Sequence, residues 1–311
     1  MTKIRICFAG VMLMTASCAF ANDFSLVKDG VSASCIVLPD NAGAVEKHAA
    51  SELSTYLEKV TGAKVNIENT PSKELYNIYL GTTEAKNVSR SDTIDKAVSQ
   101  LKDDGFVLAA DKDGIRIISR KPVGVLYGTY EILKKYADIR WFAPGAEFEY
   151  CPKKPTIVVS EQITASNPSF KFRYVSFVCC NWNSKTIDTW DWMVRNGMTI
   201  RVWKILYNLY RDELEKRGAM IYDGGHCFSH LLSDKLFDTH PEYFPLIDGK
   251  RRKQNIEGVK RWPQPCTSNP KVAEIMAESL NKYLDSPPKG GNYLIGNNDT
   301  LSGASAETAP K

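Results

Sequence analysis

The chain has 311 residues, 43% of them hydrophobic, with 40 basic and 36 acidic side chains. That is enough apolar material for two cores of ordinary size and too much for a disordered polymer, so length and composition point to a two-domain globular protein. The near balance of charge argues against a nucleic-acid partner. Beyond the N-terminus, no run approaches the roughly 20 apolar residues that a membrane-spanning helix needs.

The N-terminus reads as an export signal. Lys3 and Arg5 precede an apolar run from Ile6 to Met14, and Ala19-Phe20-Ala21 forms a small-x-small cleavage site, so residues 1–21 are expected to be removed. A lipoprotein with Cys18 acylated is disfavoured, because Thr15 stands where a lipobox needs a bulky aliphatic residue. Without Lys3 and Arg5, 38 basic residues face 36 acidic ones, a net charge of +2. The expected location is the periplasm or the cell exterior. There Cys35, Cys151, Cys179, Cys180, Cys227 and Cys266 are free either to pair or to pack as small hydrophobes.

Residues 23–160 read as a first domain. An alternating run from Val31 to Leu38 is followed by Val45, Ala49, Leu53, Tyr56, Leu57 and Val60 at helical spacing, closed by Gly62. Val65–Ile67 and Tyr76–Leu80 are short β-type runs, and the stretch from Thr82 to Gln100 is polar. Asp113-Gly114 is expected to turn a hairpin, and a second helix carries Leu126, Tyr130, Leu133 and Ala137 before an extended exit strand. The pattern predicts an α+β sheet with helices on one side. It contains no titratable cluster, and His48 falls among the solvated helix positions. The runs "AASELSTYLEKVTGAKVNI", "NIYLG", "DGFVL" and "GVLYGTYEILKKYADIRWFAPG" resemble the domain that precedes the catalytic barrel in α-glucuronidases and β-hexosaminidases. The resemblance implies a non-catalytic accessory domain that buttresses a barrel.

Residues 165–300 change period. Phe172–Phe177 reads as a strand, and Ile187, Trp190 and Val194 as a helix closed by Asn196-Gly197. Met198–Leu206 is expected as a second strand, "RDELEKRG" as a short helix, and Ala219–Tyr222 as a third strand followed by a long excursion from Asp223 to Ser268. Asn269 caps a helix with Pro270 at its first position, and Val272, Ile275, Met276, Leu280, Tyr283 and Leu284 mark its buried face. Asn292–Gly296 is the fourth strand, and residues 301–311 lack any pattern and read as a disordered tail. Strands joined by helical crossovers predict a parallel sheet, and four such units predict the first half of a (β/α)8-type barrel. The chain then reads as truncated, and one of three functional readings is a product that is inactive because its barrel cannot close. The segments "HPEYFPLIDGKR" and "CTSNP" resemble a bacterial domain-of-unknown-function family (DUF4838-like) whose layout is similar to that of glycoside hydrolases.

A barrel draws its chemistry from the C-terminal ends of its strands. Trp182 follows the first strand and either stacks on a sugar face or packs beneath its loop. Asp223, Gly224, Gly225 and His226 follow the third; paired glycines admit a ligand close to the backbone, and His226 is expected to bind sugar hydroxyls. His230 lies one helical turn beyond, but "HCFSH" lacks the glutamate of HExxH and a third ligand, so neither metal nor cofactor is expected. Lys250, Arg251 and Arg252 read as solvated surface. A carboxylate-bearing sugar would offer one of these arginines, or Arg195, a partner. Asn298 and Asp299 follow the fourth strand, where Asp299 either supplies acid/base catalysis or only caps the strand end. Glycosidic hydrolysis ordinarily uses two carboxyl groups, and Asp223 is the second candidate. The resemblance thus implies an exported glycoside hydrolase acting on an oligo- or polysaccharide; the alternative is a carbohydrate-binding protein without turnover.

Overall fold

A computed structural model describes residues 22–85, 88–175, 185–247, 249–254, 263–285 and 292–296. They divide into two compact units, one up to Lys171 and one from Phe172. Unit 1 runs β1 (Asp23–Lys28), β2 (Val31–Ser32), β3 (Ser34–Val37), α1 (Ala44–Thr61), β4 (Ile67–Glu68), β5 (Tyr76–Thr82), α2 (Asp92–Ser99), β6 (Phe106–Asp111) and β7 (Gly114–Ser119). It continues with α3 (Pro122–Tyr136), β8 (Arg140–Trp141), β9 (Glu149–Tyr150), β10 (Ile157–Ser160) and β11 (Gln162–Ser166).

Six strands form a mixed sheet in the order β11-β6-β7-β5-β3-β4. The links of β3 to β4, β3 to β5 and β5 to β7 are parallel, and those of β6 to β7 and β6 to β11 are antiparallel. β10, β1 and β2 form a second, antiparallel sheet. As the spacing predicts, α1 buries Ala49, Leu53, Tyr56, Leu57 and Val60, and Gly62 closes it in the left-handed conformation. Burial of each such leucine contributes about 1.5–3 kcal/mol before entropy is counted. His48, expected to be solvated, is half-buried.

The expectation of helices on one side is corrected. α3 lies on the Ile117 face, where a Cβ at Gly128 would come within 2.4 Å of Ile117 Cγ2. The adjacent residue Ile118 points the other way, into a cluster with Val107, Ala109 and Ile94 and Val98 of α2. Both faces are therefore covered. α2 reads as a polar stretch because its eight residues bury only two, Ile94 and Val98. The hairpin also turns one residue earlier than predicted, over Lys112-Asp113, since Asp111 pairs with Gly114.

Unit 2 contains α4 (Lys185–Arg195), β12 (Arg201–Trp203), α5 (Lys204–Leu209), α6 (Arg211–Glu215), β13 (Met220–His226), α7 (Phe228–Leu231), β14 (Leu246–Ile247), β15 (Lys250–Arg251), α8 (Pro270–Asp285) and β16 (Asn292–Gly296). β12, β13 and β16 form a parallel three-stranded sheet. The predicted strand over Met198–Leu206 is shortened to three residues because the chain turns into α5 at Lys204. The third strand instead gains four residues and runs through Asp223, Gly224 and Gly225 to His226. Of the predicted strand Phe172–Phe177, residues 172–175 belong to no ladder, although Arg173 exchanges hydrogen bonds with Thr199, and residues 176–177 lie outside the described residues. The expected tail over 301–311 also lies outside them. Asn269 caps α8 as predicted, its Oδ1 accepting from the Lys271 amide at 3.0 Å. Of the predicted face of α8, Val272 is buried whereas Tyr283 and Leu284 are exposed. Among the described residues, no helix is long and apolar enough to cross a membrane.

Candidate functional site

The parallel register brings the tips of β13 and β16 level: Tyr222 pairs with Asn292, and His226 with Gly296. Two consecutive glycines shape this end. Gly224 and Gly225 have φ of +88° and +103°, and a Cβ at Gly224 would lie 2.2 Å from the Leu294 carbonyl oxygen. A side chain there is excluded both by backbone conformation and by space. Beyond the tip the Cys227 amide donates to the Gly296 carbonyl at 3.1 Å, and its thiol lies 3.7 Å from the carbonyls of Leu294 and Gly296. Cys227 is buried and holds the turn into α7 against β16.

Behind these tips lies a cavity of about 420 Å³ lined by Gly224, Cys227, His230, Leu231 and, from α8 and β16, Ser279, Tyr283 and Tyr293. The Tyr283 and Tyr293 rings meet edge to face at 4.8 Å. The cavity offers hydroxyl, imidazole and ring surface, the combination that small polar ligands need. Ser279, Tyr283 and Tyr293 were not among the predicted site residues. Nothing in their local sequence marks them, since β16 is brought to Gly224 and Cys227 only by its parallel pairing with β13.

His226 stands exposed at the β13 tip, beside Gly296. Asp223 is placed by its backbone alone, in β13 opposite Tyr293. Trp182, Asn298 and Asp299 lie outside the described residues. Arg195 is not brought to the strand tips. It sits in the last turn of α4, at the end that leads into the start of β12, 3.9 Å from Asp191. Among the described residues, no group of three or more His, Cys, Asp or Glu side chains is placed to hold a metal ion.

The excursion after α7 is anchored by Leu232, Tyr243, Phe244 and Val272, against which Leu236, Phe237, Ile275 and Met276 pack. Arg251, predicted as solvated, is half-buried and donates to the Phe244 carbonyl at 2.6 Å, whereas Lys250 and Arg252 are exposed. Cys266 lies near it. Burial works to raise that thiol's pKa, but hydrogen bonds from Ser268 and Arg251 and the arginine's charge outweigh it and bring it below the ordinary value. Cys35, Cys227 and Cys266 are free thiols, so none of these three forms a disulfide. Burial raises the Cys35 pKa, as expected of a packed thiol.

A mixed α/β unit followed by a unit built on a parallel sheet, with glycines and a histidine at the strand ends, defines an α/β protein. Residues 143–306 match the domain of unknown function DUF4838, and the chain belongs to that family. Residues 28–132 match the N-terminus of glycosyl hydrolase family 67. The chain is 26% identical over 180 residues to alpha-glucuronidase A of Emericella nidulans, an alignment covering 53% of this chain and 19% of that protein. It is also similar to a solved family GH115 4-O-methyl-alpha-glucuronidase with specificity for decorated arabinogalactans (TM-score 0.48, 15% identity, 84% of this chain and 41% of that one). Flavobacterium johnsoniae chitobiase is similar at a TM-score of 0.42 and 14% identity, over 89% of this chain and 43% of that one. The chain thus spans about a fifth of the curated relative's length and about two-fifths of the solved structures'.

Proposed function

We propose that the protein is an exported glycoside hydrolase whose unit 2 opens a (β/α)8-type barrel and whose carboxylates cleave a glycosidic bond in an oligo- or polysaccharide. The observation that carries this reading is the level ending of β13 and β16, with His226 beside Gly296. Asp299 follows Gly296 by three residues, a span of at most about 11 Å, so it is tethered to the same strand end. The family-67 N-terminal match and the identity with alpha-glucuronidase A support the same class.

In this reading Asp299 protonates the leaving oxygen and Asp223 serves as base or nucleophile. His226 and Asn298 bind sugar hydroxyls, and Trp182 stacks on a sugar face. Gly224, in the cavity wall, lets the sugar approach the backbone. Arg195 has its partner in Asp191 and is assigned to the helix rather than to substrate.

A panel of aryl-glycosides tests the activity. Turnover of at least one is expected, with Asp299→Asn lowering kcat by about 10²–10⁴-fold, the usual contribution of a general acid. If none turns over while glycans still raise the melting temperature, carbohydrate binding without hydrolysis takes its place. Export is tested by N-terminal sequencing of the protein from its producing cells, with a start at Asn22 expected.

A further inference from the structure

Arg201, at the start of β12, carries a charge that no acid among the described residues answers. Its guanidinium carbon lies 4.7 Å from the ring centroid of Phe172, 4.9 Å from that of Tyr174 and 4.9 Å from that of Tyr222. Among the described residues it makes no hydrogen bond or ion pair, and its Nε is buried without a partner. Arg201 itself is half-buried, and two fully buried arginines show what compensation looks like. Arg217 meets both Asp191 and Glu213 at 2.6 Å. Arg116 meets Asp111 at 2.9 Å and two backbone carbonyls besides.

Three rings around a guanidinium stabilise it through its face, by about 0.5–2 kcal/mol each. They leave the in-plane N–H donors without a protein partner among the described residues, and at the buried Nε an unmade hydrogen bond costs at least the roughly 1–3 kcal/mol of a neutral group. The acceptor that fits a planar fork of donors is itself planar and negative, namely a carboxylate. The surrounding surface adds a second requirement. Alternate residues of a strand share a face, so Trp203 stands on the side of Arg201, and Tyr222 is its partner across the ladder. Trp203 is 47% exposed, so the surface beside the cation carries an aromatic ring open to a ligand. This place is separate from the strand tips: Arg201 pairs with Met220, six residues before His226, roughly 20 Å at ordinary strand rise.

We infer that the Arg201 face of β12 and β13 is a binding site for a carboxylate borne on a ring, the guanidinium taking the carboxylate and Trp203 the ring. The ring belongs either to a sugar acid or to an aromatic acid, which present the same chemistry. The inference concerns binding alone and stands whether or not the protein hydrolyses glycosides.

Calorimetric titration of the full chain, with tryptophan fluorescence as a second readout, tests it with two matched pairs: glucuronate against glucose, and benzoate against benzamide. In at least one pair the carboxylate is expected to bind at least about ten-fold more tightly than its neutral counterpart. The pair that shows the preference identifies the ring. Arg201→Met is expected to abolish the preference while keeping the fold, because no acid loses a partner. Arg201→Lys, which retains charge but not the fork, is expected to weaken it, and it carries the test if the methionine variant does not fold. Equal binding within both pairs overturns the inference, as does a preference that survives either substitution unchanged.

Discussion

In unit 1 the six-stranded sheet is covered on both faces, α3 packing on Ile117 and α2 on Ile118, so that every residue of β7 is buried. In unit 2 the parallel sheet buries Val202 but leaves Trp203, Ile221, Leu294 and Ile295 exposed. Parallel sheets ordinarily bury both faces. The pattern of unit 1 is thus explained by contacts within the unit, whereas unit 2 spends hydrophobic side chains where its described contacts do not use them. Such spending is characteristic of surfaces that meet something else.

The comparison breaks most sharply where unit 2 is packed as tightly as unit 1. Arg217 ties α4 to α6 through Asp191 and Glu213 and also donates to the Glu213 carbonyl at 2.7 Å. Arg217→Met leaves Asp191 only its longer contact with Arg195 and is expected to lower unfolding free energy by up to about 3–5 kcal/mol in urea denaturation. A loss below about 1 kcal/mol would mean the pair is as weak as an exposed one. Arg201→Met, in the same unit, is expected to leave stability unchanged or higher.

A matched pair of leucines measures the two sheets directly. Leu57 is fully buried in α1, and Leu57→Ala is expected to cost about 2–5 kcal/mol. Leu294 in β16 is 37% exposed, and Leu294→Ala is expected to cost less than about 1 kcal/mol. Similar losses at both sites would erase the contrast between the units. Gly128→Ala sharpens it from the other side, since a Cβ would press on Ile117 and Phe106; the expected cost, about 1–3 kcal/mol, is read as a lower thermal midpoint.

The legibility of the fold in the sequence follows the same division. α1 and α3 could be read closely because a long amphipathic stripe repeats its signal over four or five turns. α2 was hidden, having only Ile94 and Val98 to bury. β16 was readable as Asn292–Gly296, since a short apolar run between glycines has few other interpretations. β13 was underestimated: Asp223, Gly224 and Gly225 look like loop residues, and only the ladder with β16 keeps them in a strand. At the site, His226 could be named from its neighbours, but Ser279 and Tyr283 approach it by a crossover that no local pattern encodes. Arg201 was missed for a related reason. Within "TIRVWK" it resembles any strand arginine, and its lack of a counter-ion exists only in three dimensions.

The smallest effect expected is a pH dependence confined to unit 2. Hydrogen bonding from Lys216, and then from Arg217, holds the Glu213 carboxyl below the usual glutamate range, against the opposing effect of burial. A carboxylate whose folded pKa is depressed contributes stability above its unfolded pKa, and that contribution is lost as pH falls through the folded value. Unit 2 is therefore expected to lose stability on acidification from the ordinary glutamate range downward, while neutral and alkaline conditions leave this contribution intact. Glu213 is about a third exposed and solvent screens it, so the effect is well under about 1 kcal/mol. Melting temperatures between about pH 6 and pH 3 check it: Glu213→Gln should flatten the acid limb, and Lys216→Met should shrink it. An acid limb unchanged in both variants would assign the loss to other carboxylates. The depressed Asp103, held down in unit 1 by its hydrogen bond with Lys121, is then the next to test.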